Sequence, residues 1–479
     1  MDTSAENLLR TLPAVGEFLN SPAGRQLSAQ FGEGLTKWEL RHTLDELRHD
    51  IRQGRLTHAP APEEFPRLLA TRLRRLTAPE GRRAINATGI LLHTGRGRAP
   101  LCDAAIAAIA AAAGNTPLQA SLDSGDRSLR EQRVQSLLHE LVASPAATVV
   151  NNNAAATMLI LNTLAPNKEV IVSRGQLIEI GGSFRMTDVM AQSGALLREV
   201  GTTNRTHLRD YEAAITDRTG AIIHVHTSNY RIRGFAGTPP IAELVTLAKK
   251  HNLPVIDDLG SGALVPLSPW GLSDEPLVRD SLAAPGGGAD VACFSADKLI
   301  CGPQAGIICG SLPLIDKIRK NPFARMFRVC KLTLAALEAT LIEFINGTYR
   351  QNLPFYSMLD RPIAELESTA RQIAGQLQTI PGLTAQVAED LSYVGSGSLP
   401  DEGLPTRVLR LRHESLPAAD LARRLRLGIP SVFTRLSDRE LVLDTRTLRR
   451  EEASQVVAAL RTAVYSEVGM DGAADIMLA

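Results

Sequence analysis

A chain of 479 residues, 44% hydrophobic and 22% charged, is too long for one simple domain and carries ample apolar material for two or three. Its formal net charge of +1 excludes a global electrostatic pull on nucleic acid, so such a partner needs a local patch. Five cysteines, an odd number without a Cys-x-x-Cys pair, argue against a disulfide framework or a zinc ribbon and fit a reducing cytoplasm, and no metal site is expected. The N-terminal stretch holds acids and no long apolar core, so no signal peptide is expected. No apolar run approaches the length of a membrane span.

Residues 1–60 read as a small helical domain. Leu8, Leu9, Leu12 and Phe18 predict one short amphipathic element, interrupted at Ser21-Pro22-Ala23-Gly24. From Thr36 a stronger helix is expected to set Trp38, Leu40, Leu44, Leu47 and Ile51 on one face. Pro60, Pro62 and Pro66 signal a linker over 61–84, made basic by Arg67, Arg72, Arg74, Arg75, Arg82 and Arg83. A solvated surface and a phosphate-backbone contact are equal readings of that run. The loop from Arg83 to Leu101 sets Gly89, Gly95 and Gly97 among His93, Arg96 and Arg98, a pattern able to offer donors to an oxyanion. An alanine-rich helix over 102–114 and an arginine-bearing loop over Leu122–Arg133 follow.

Apolar strands then alternate with amphipathic helices, which predicts a doubly wound, mainly parallel α/β sheet. The expected strands are Ala147–Val150, Glu169–Val172, Leu196–Val200, Ala221–His226, Pro254–Asp257, Val291–Phe294 and Gly306–Cys309. Gly286-Gly287-Gly288 forms a flexible approach to the sixth. Lys298 follows that strand, and Gly302-Pro303 and Ala305-Gly306 turn the chain behind it. Burial disfavours an ammonium, and a Schiff base with pyridoxal phosphate removes its charge. Asp258 ends an apolar strand about 40 residues upstream, room for one crossover, and suits a pyridinium nitrogen. At Asn151-Asn152-Asn153-Ala154-Ala155 a strand passes into a helix, whose N-terminus suits a phosphate. In this order and spacing the three features favour a cofactor site over a capped helix, a strand-end acid and a surface lysine. His226 has two readings, a ring stacked on the cofactor or an ordinary strand-end histidine. A long helix is expected from Asn321, with Arg325 and Arg328 sharing a face beside Lys331. Residues 85–350 thus read as a large cofactor-binding domain, 351–466 as a small C-terminal α/β domain, and 467–479 as a mobile tail.

Ile85-Asn-Ala-Thr-Gly-Ile90, Val150-Asn-Asn-Asn-Ala-Ala-Ala156, Glu179-Ile-Gly-Gly-Ser-Phe-Arg185, Glu199-Val-Gly-Thr-Thr-Asn-Arg205, His226-Thr-Ser-Asn-Tyr-Arg-Ile232, Asp258-Leu-Gly-Ser-Gly262, Asp297-Lys-Leu299 and Lys331-Leu-Thr-Leu334 carry a resemblance over nearly the whole chain. In these stretches the sequence resembles the bacterial selenocysteine synthases, the L-seryl-tRNA(Sec) selenium transferases. The resemblance implies a type I pyridoxal phosphate-dependent transferase fold, an N-terminal tRNA-binding domain and a cytoplasmic homo-oligomeric ring, a decamer by family likeness. It implies conversion of seryl-tRNA(Sec) to selenocysteinyl-tRNA(Sec) through aminoacrylyl-tRNA, with selenophosphate as donor. It sets the Schiff base on Lys298, an acid at Asp297, and oxyanion-binding arginines at Arg98, Arg325 and Arg328. The wording departs from the family's at Gly95–Arg98, Gly125–Arg130, Ala296, Cys301 and Cys330. A β-replacement enzyme or lyase acting on a free amino acid or amino sugar is the alternative.

Overall fold

Every element described before residue 84 is helical: α1 (Thr3–Thr11), α2 (Val15–Asn20), α3 (Pro22–Phe31), α4 (Glu33–Arg52) and α5 (Phe65–Thr77). The computed structural model describes residues 3–465 apart from 57, 78–80, 82, 182, 183, 274 and 284–286. Arg82, Gly286 and the tail expected to be mobile lie outside the described residues. Met1–Arg83 and Ala84–Ala479 form two separate units.

Four expectations for the first unit need correction. The single element through Phe18 is two helices, because Pro13 cannot continue α1. Ser21-Pro22 starts a helix rather than interrupting one: the Ser21 hydroxyl accepts the Gly24 N–H at 3.1 Å, and Pro22 occupies the first turn. Trp38 is 55% exposed and stacks on His42. It precedes Leu40 by two positions, about 200° round the helix from the Leu40–Leu44–Leu47–Ile51 seam. The supposed linker over 61–84 carries α5, whose Phe65, Leu69 and Leu73 are buried at helical spacing. Phe65 meets Phe18 edge-on, and Arg72 pairs with Glu39 at 2.5 Å and Glu46 at 2.7 Å. Pro66 causes no break, since N–H groups in a helix's first turn have no intrahelical acceptor and none of its hydrogen bonds is lost.

In the second unit the strands are β1 (Ala84–Ala87), β2 (Ala146–Val150), β3 (Glu169–Ser173), β4 (Glu179–Ile180), β5 (Phe184–Arg185), β6 (Leu196–Val200) and β7 (Thr219–Val225). They continue with β8 (Val255–Gly260), β9 (Val291–Ser295), β10 (Gly306–Gly310), β11 (Leu383–Gly395), β12 (Ser398–His413), β13 (Ser431–Ser437) and β14 (Glu440–Asp444). A seven-stranded sheet runs in the order β2-β10-β9-β8-β7-β3-β6. It is parallel except for β10, antiparallel to both neighbours. This is the expected type I architecture. Strands such as β9 are buried at every residue, which explains why they read as unbroken apolar runs rather than alternating ones. Helices α6 (Asp103–Ala112) and α7 (Gln132–Val142) pack on the helix Lys331–Ile345. Helix α8 (Asn153–Leu164) packs against β9 and β10.

The five-stranded sheet runs β1-β13-β14-β12-β11, so the small layer recruits a strand from residues assigned to the large domain. Conversely Leu353, Phe355 and Tyr356, assigned to the small domain, are fully buried with Phe294 and Leu337 in the large core. The small layer's first helix is Ile363–Leu377. The long basic helix expected from Asn321 is also two helices, Pro322–Met326 and Lys331–Ile345. Between them the Phe327 carbonyl accepts the Asn151 N–H at 2.9 Å, and Arg328 bridges Val150 as a strand would. Arg325 and Arg328 therefore do not share a face of one continuous helix.

Candidate active site

Parallel strands present their carboxyl ends to one edge of a sheet, where ligands bind in open α/β folds. Lys298 stands there, 7% exposed, in the tight connection between β9 and β10. The connection is fixed by Ala296 N–H to Ala305 O at 2.9 Å, Gly302 N–H to Ala296 O at 2.8 Å and Tyr356 O–H to Leu299 O at 2.8 Å. A lysine held so has lost most of its water. Burial, and then the charge of Arg98, lower its pKa against the opposing pull of Asp297, Asp258 and Glu275. That favours a free amine able to act as nucleophile or base.

Asp258 lies in β8 beside β9, its backbone paired with Cys293. Asn153 Nδ2 donates to its Oδ1 at 2.7 Å, the Thr157 hydroxyl to its Oδ2 at 2.9 Å, and the Gly260 N–H to Oδ1 at 3.1 Å. Burial raises its pKa, and these three hydrogen bonds oppose the rise. A bound cation would favour its ionised form further.

The start of α8 is arranged differently from the sequence reading. Asn152 caps the helix, its Oδ1 accepting the Ala155 N–H at 2.8 Å, so that donor is already satisfied. The side chain of Asn153 serves Asp258, while its Oδ1 is buried without a partner among the described residues. The N–H groups of Asn153 and Ala154 have no acceptor among the described residues, which leaves them for an anion. Gly306 closes the junction from β10: a Cβ there would strike the Asn152 carbonyl, so backbone alone fits.

Arg98 donates through Nη1 to Asp297 Oδ2 at 2.6 Å. Its φ of 64° is a left-handed conformation that arginine seldom adopts, held as Ala99 N–H reaches the Asp297 carbonyl at 3.3 Å. His226 Nε2 faces Glu275 Oε2 at 3.0 Å, and the Ser261 hydroxyl donates to the same oxygen at 2.6 Å. His226 also borders a cleft of about 310 Å³ shared with Ser173, Gln176, Thr202, Arg205 and His224.

The structure thus gathers Lys298, Asp297, Arg98 and Asp258 into one electrostatic cluster, linked through Asn153 to α8 and through Glu275 to His226. No hydrogen bond or ion pair among the described residues joins Arg325 or Arg328 to it. Both are exposed, and neither has a hydrogen-bond or ion-pair partner among the described residues. Arg328 is pinned by its backbone to the β2 end, and its charge lowers the pKa of Arg130, after burial as the larger cause. Arg130 donates to the Val329 carbonyl and keeps a buried Nε without a partner among the described residues. Sequence reasoning missed Glu275, Thr157 and Arg130 as site residues. Thr157 lies one turn after Asn153 on α8, a signal that was available. Glu275 lies in an irregular loop and gave none.

These residues fit pyridoxal phosphate: unpaired N–H groups at a helix start for its phosphate, a buried carboxylate for its ring nitrogen, and a buried amine for its aldehyde. Comparison with known proteins identifies the family. The family model described as L-seryl-tRNA selenium transferase matches residues 84–449, and the selenocysteine synthase N-terminal model matches residues 9–48. The L-seryl-tRNA(Sec) selenium transferase of Nitratidesulfovibrio vulgaris is 44% identical over 468 residues, covering 95% of this chain and 99% of the relative. That of Alkaliphilus metalliredigens is 46% identical over 384 residues, covering 80% and 82%. Among solved structures, D-glucosaminate-6-phosphate ammonia-lyase shares the fold, with a TM-score of 0.57 at 20% identity over 82% of this chain and 97% of that one. With a family model spanning most of its length and relatives this similar from end to end, the chain belongs to the L-seryl-tRNA selenium transferase family.

Proposed function

We propose that this enzyme converts L-seryl-tRNA(Sec) to L-selenocysteinyl-tRNA(Sec) with selenophosphate as donor, using pyridoxal phosphate bound at Lys298. The observation that carries the reading is Lys298 itself, a buried amine within the charge field of Asp258 in a chain of this family. Pyridoxal phosphate, when bound, supplies an electron sink that makes the serine α-proton removable and its β-hydroxyl a leaving group. The residues do the rest. Lys298 Nζ would hold the cofactor and, once free of it, take the α-proton, and burial favours the uncharged amine that this needs. Asp258, held by Asn153 and Thr157, keeps the ring nitrogen protonated. Asn153 and Ala154 would offer backbone N–H groups to the cofactor phosphate, and the Asn152–Ala155 hydrogen bond fixes the turn that carries them. Asp297 holds Arg98 at the rim of the site. A serine carboxyl already esterified to tRNA needs no carboxylate clamp, which leaves arginines for the phosphate-like donor.

Arg98, Arg325 and Arg328 are the proposed donor-binding set, and Arg130 joins it as the neighbour of Arg328. Each charge-assisted contact is worth about 1.5–3 kcal/mol, so Arg328→Ala should raise the KM for selenophosphate by roughly one to two decades. Consumption of the seryl group should continue in that variant. A KM unchanged in Arg328→Ala and in Arg325→Ala would reduce these residues to a basic surface.

The N-terminal unit is proposed to bind the tRNA, with Arg67 and Arg74 exposed on α5. Because α5 belongs to that unit, the informative deletion is residues 1–83 rather than 1–60. It should weaken tRNA(Sec) binding at least about tenfold, the loss of several phosphate contacts, with cofactor binding kept. Undiminished tRNA affinity would move recognition into the second unit. A cytoplasmic ring-shaped homo-oligomer completes the proposal. Among the described residues, no helix is long and apolar enough to cross a membrane. The overall reading is tested by following the aminoacyl group of seryl-tRNA(Sec) with and without selenophosphate.

A further inference from the structure

Glu275 belongs to no motif, yet it is only 4% exposed and lies between two residues of the candidate site. Its Oε2 takes the His226 Nε2 contact at 3.0 Å and the Ser261 hydroxyl at 2.6 Å. Ser261 is itself fully buried, and its carbonyl accepts the N–H of Leu299, next to Lys298, at 3.4 Å. The carboxylate is therefore tied to both sides of the lysine pocket, to the end of β7 through His226 and to the β9–β10 connection through Ser261.

We propose that Glu275 is a positioning residue for the reaction: it fixes His226 with hydrogen on Nε2, so that Nδ1 is presented as an acceptor to the bound cofactor and substrate, and it supplies a permanent negative charge to the Lys298 pocket. The inference rests on the cofactor reading above. A carboxylate has no hydrogen to give, so two donors on one oxygen require Nε2–H on the ring and O–H on the serine. Burial pushes the Glu275 carboxyl upward, but the hydrogen bonds it accepts from His226 and Ser261 oppose that push, and the carboxyl lies below its ordinary value, hence ionised. The other charged groups acting on Lys298 are Arg98, which opposes its ammonium form, and Asp297 and Asp258, which support it. Glu275 is thus one of three negative charges there, and the one that also orients an imidazole.

The test titrates the visible absorption band of the pyridoxal phosphate-loaded enzyme against pH and measures kcat and KM for seryl-tRNA(Sec). Removing a nearby negative charge disfavours the protonated lysine–cofactor linkage, so Glu275→Gln should move the titration midpoint toward acid by about one pH unit. It should lower kcat by about tenfold or more while KM for the tRNA stays within about twofold, and Glu275→Asp should recover part of both effects. His226→Asn should lower kcat similarly, and its combination with Glu275→Gln should add little, because the pair acts as one unit. A midpoint and kcat unchanged in Glu275→Gln would overturn the proposal. If that variant does not fold, full kcat in His226→Asn would overturn it equally. A wild-type enzyme that takes up no pyridoxal phosphate would end the cofactor reading and this proposal together, whereas a coloured wild type with an unmoved variant would end this proposal alone.

Discussion

Lys298→Ala is expected to give a folded, colourless protein that neither forms the visible band with pyridoxal phosphate nor consumes seryl-tRNA(Sec). The lysine is buried and its pKa lowered by that burial, so its ammonium adds nothing to stability that alanine would forfeit. The thermal midpoint should stay near that of the wild type, and the loss should be chemical. A positioned general base alone accounts for about two to four decades in rate, and this variant also loses the covalent anchor for the cofactor. Absorption spectra and a single-turnover assay measure both losses. A variant that keeps the wild-type band, or turns over within tenfold of wild type, would move the cofactor linkage to another amine.

Asp258→Asn is expected to have the second largest effect. The side chain is nearly isosteric, but it cannot stay anionic opposite a ring nitrogen, and its NH2 would confront one of the two donors, Asn153 or Thr157. Taking away one partner of a buried charge pair costs about 3–5 kcal/mol, equivalent to roughly two to nearly four decades in kcat. The visible band should survive, because Lys298 remains. A colourless Asp258→Asn would mean that the carboxylate serves binding rather than chemistry, and activity within about threefold of wild type would remove it from the mechanism.

Much of the large sheet was legible because a strand buried on both faces must be a short apolar run between turn residues. Val291–Phe294 and Gly306–Cys309 were read almost to their ends for that reason. Asp258 and Lys298 stood out because each breaks such a run with a charge. The small layer was less legible. The hairpin of β11 and β12 went unread over most of its length: β11 has exposed polar and charged residues on its solvent side, and only Leu383, Ser392 and Val394 are buried. The stretch around Phe327–Cys330 looked helical by composition. In the fold Arg328 bridges the end of β2 and the Val329 carbonyl accepts from Arg130, a tertiary choice that local spacing does not contain. Trp38 was placed on a core face because it is apolar, although its angle round α4 points elsewhere. Glu275 shows the limit most plainly: its significance comes from His226 and Ser261, 49 and 14 residues away in sequence, which meet only when the sheet forms.

The most direct test of the account is to incubate the enzyme, loaded with pyridoxal phosphate, with seryl-tRNA(Sec) in the presence and absence of selenophosphate, and to identify the amino acid released from the tRNA. The account predicts selenocysteine only when selenophosphate is supplied, and no product with Lys298→Ala. Unchanged serine on the tRNA under both conditions, with turnover of a free amino acid or amino sugar by the same preparation, would contradict it.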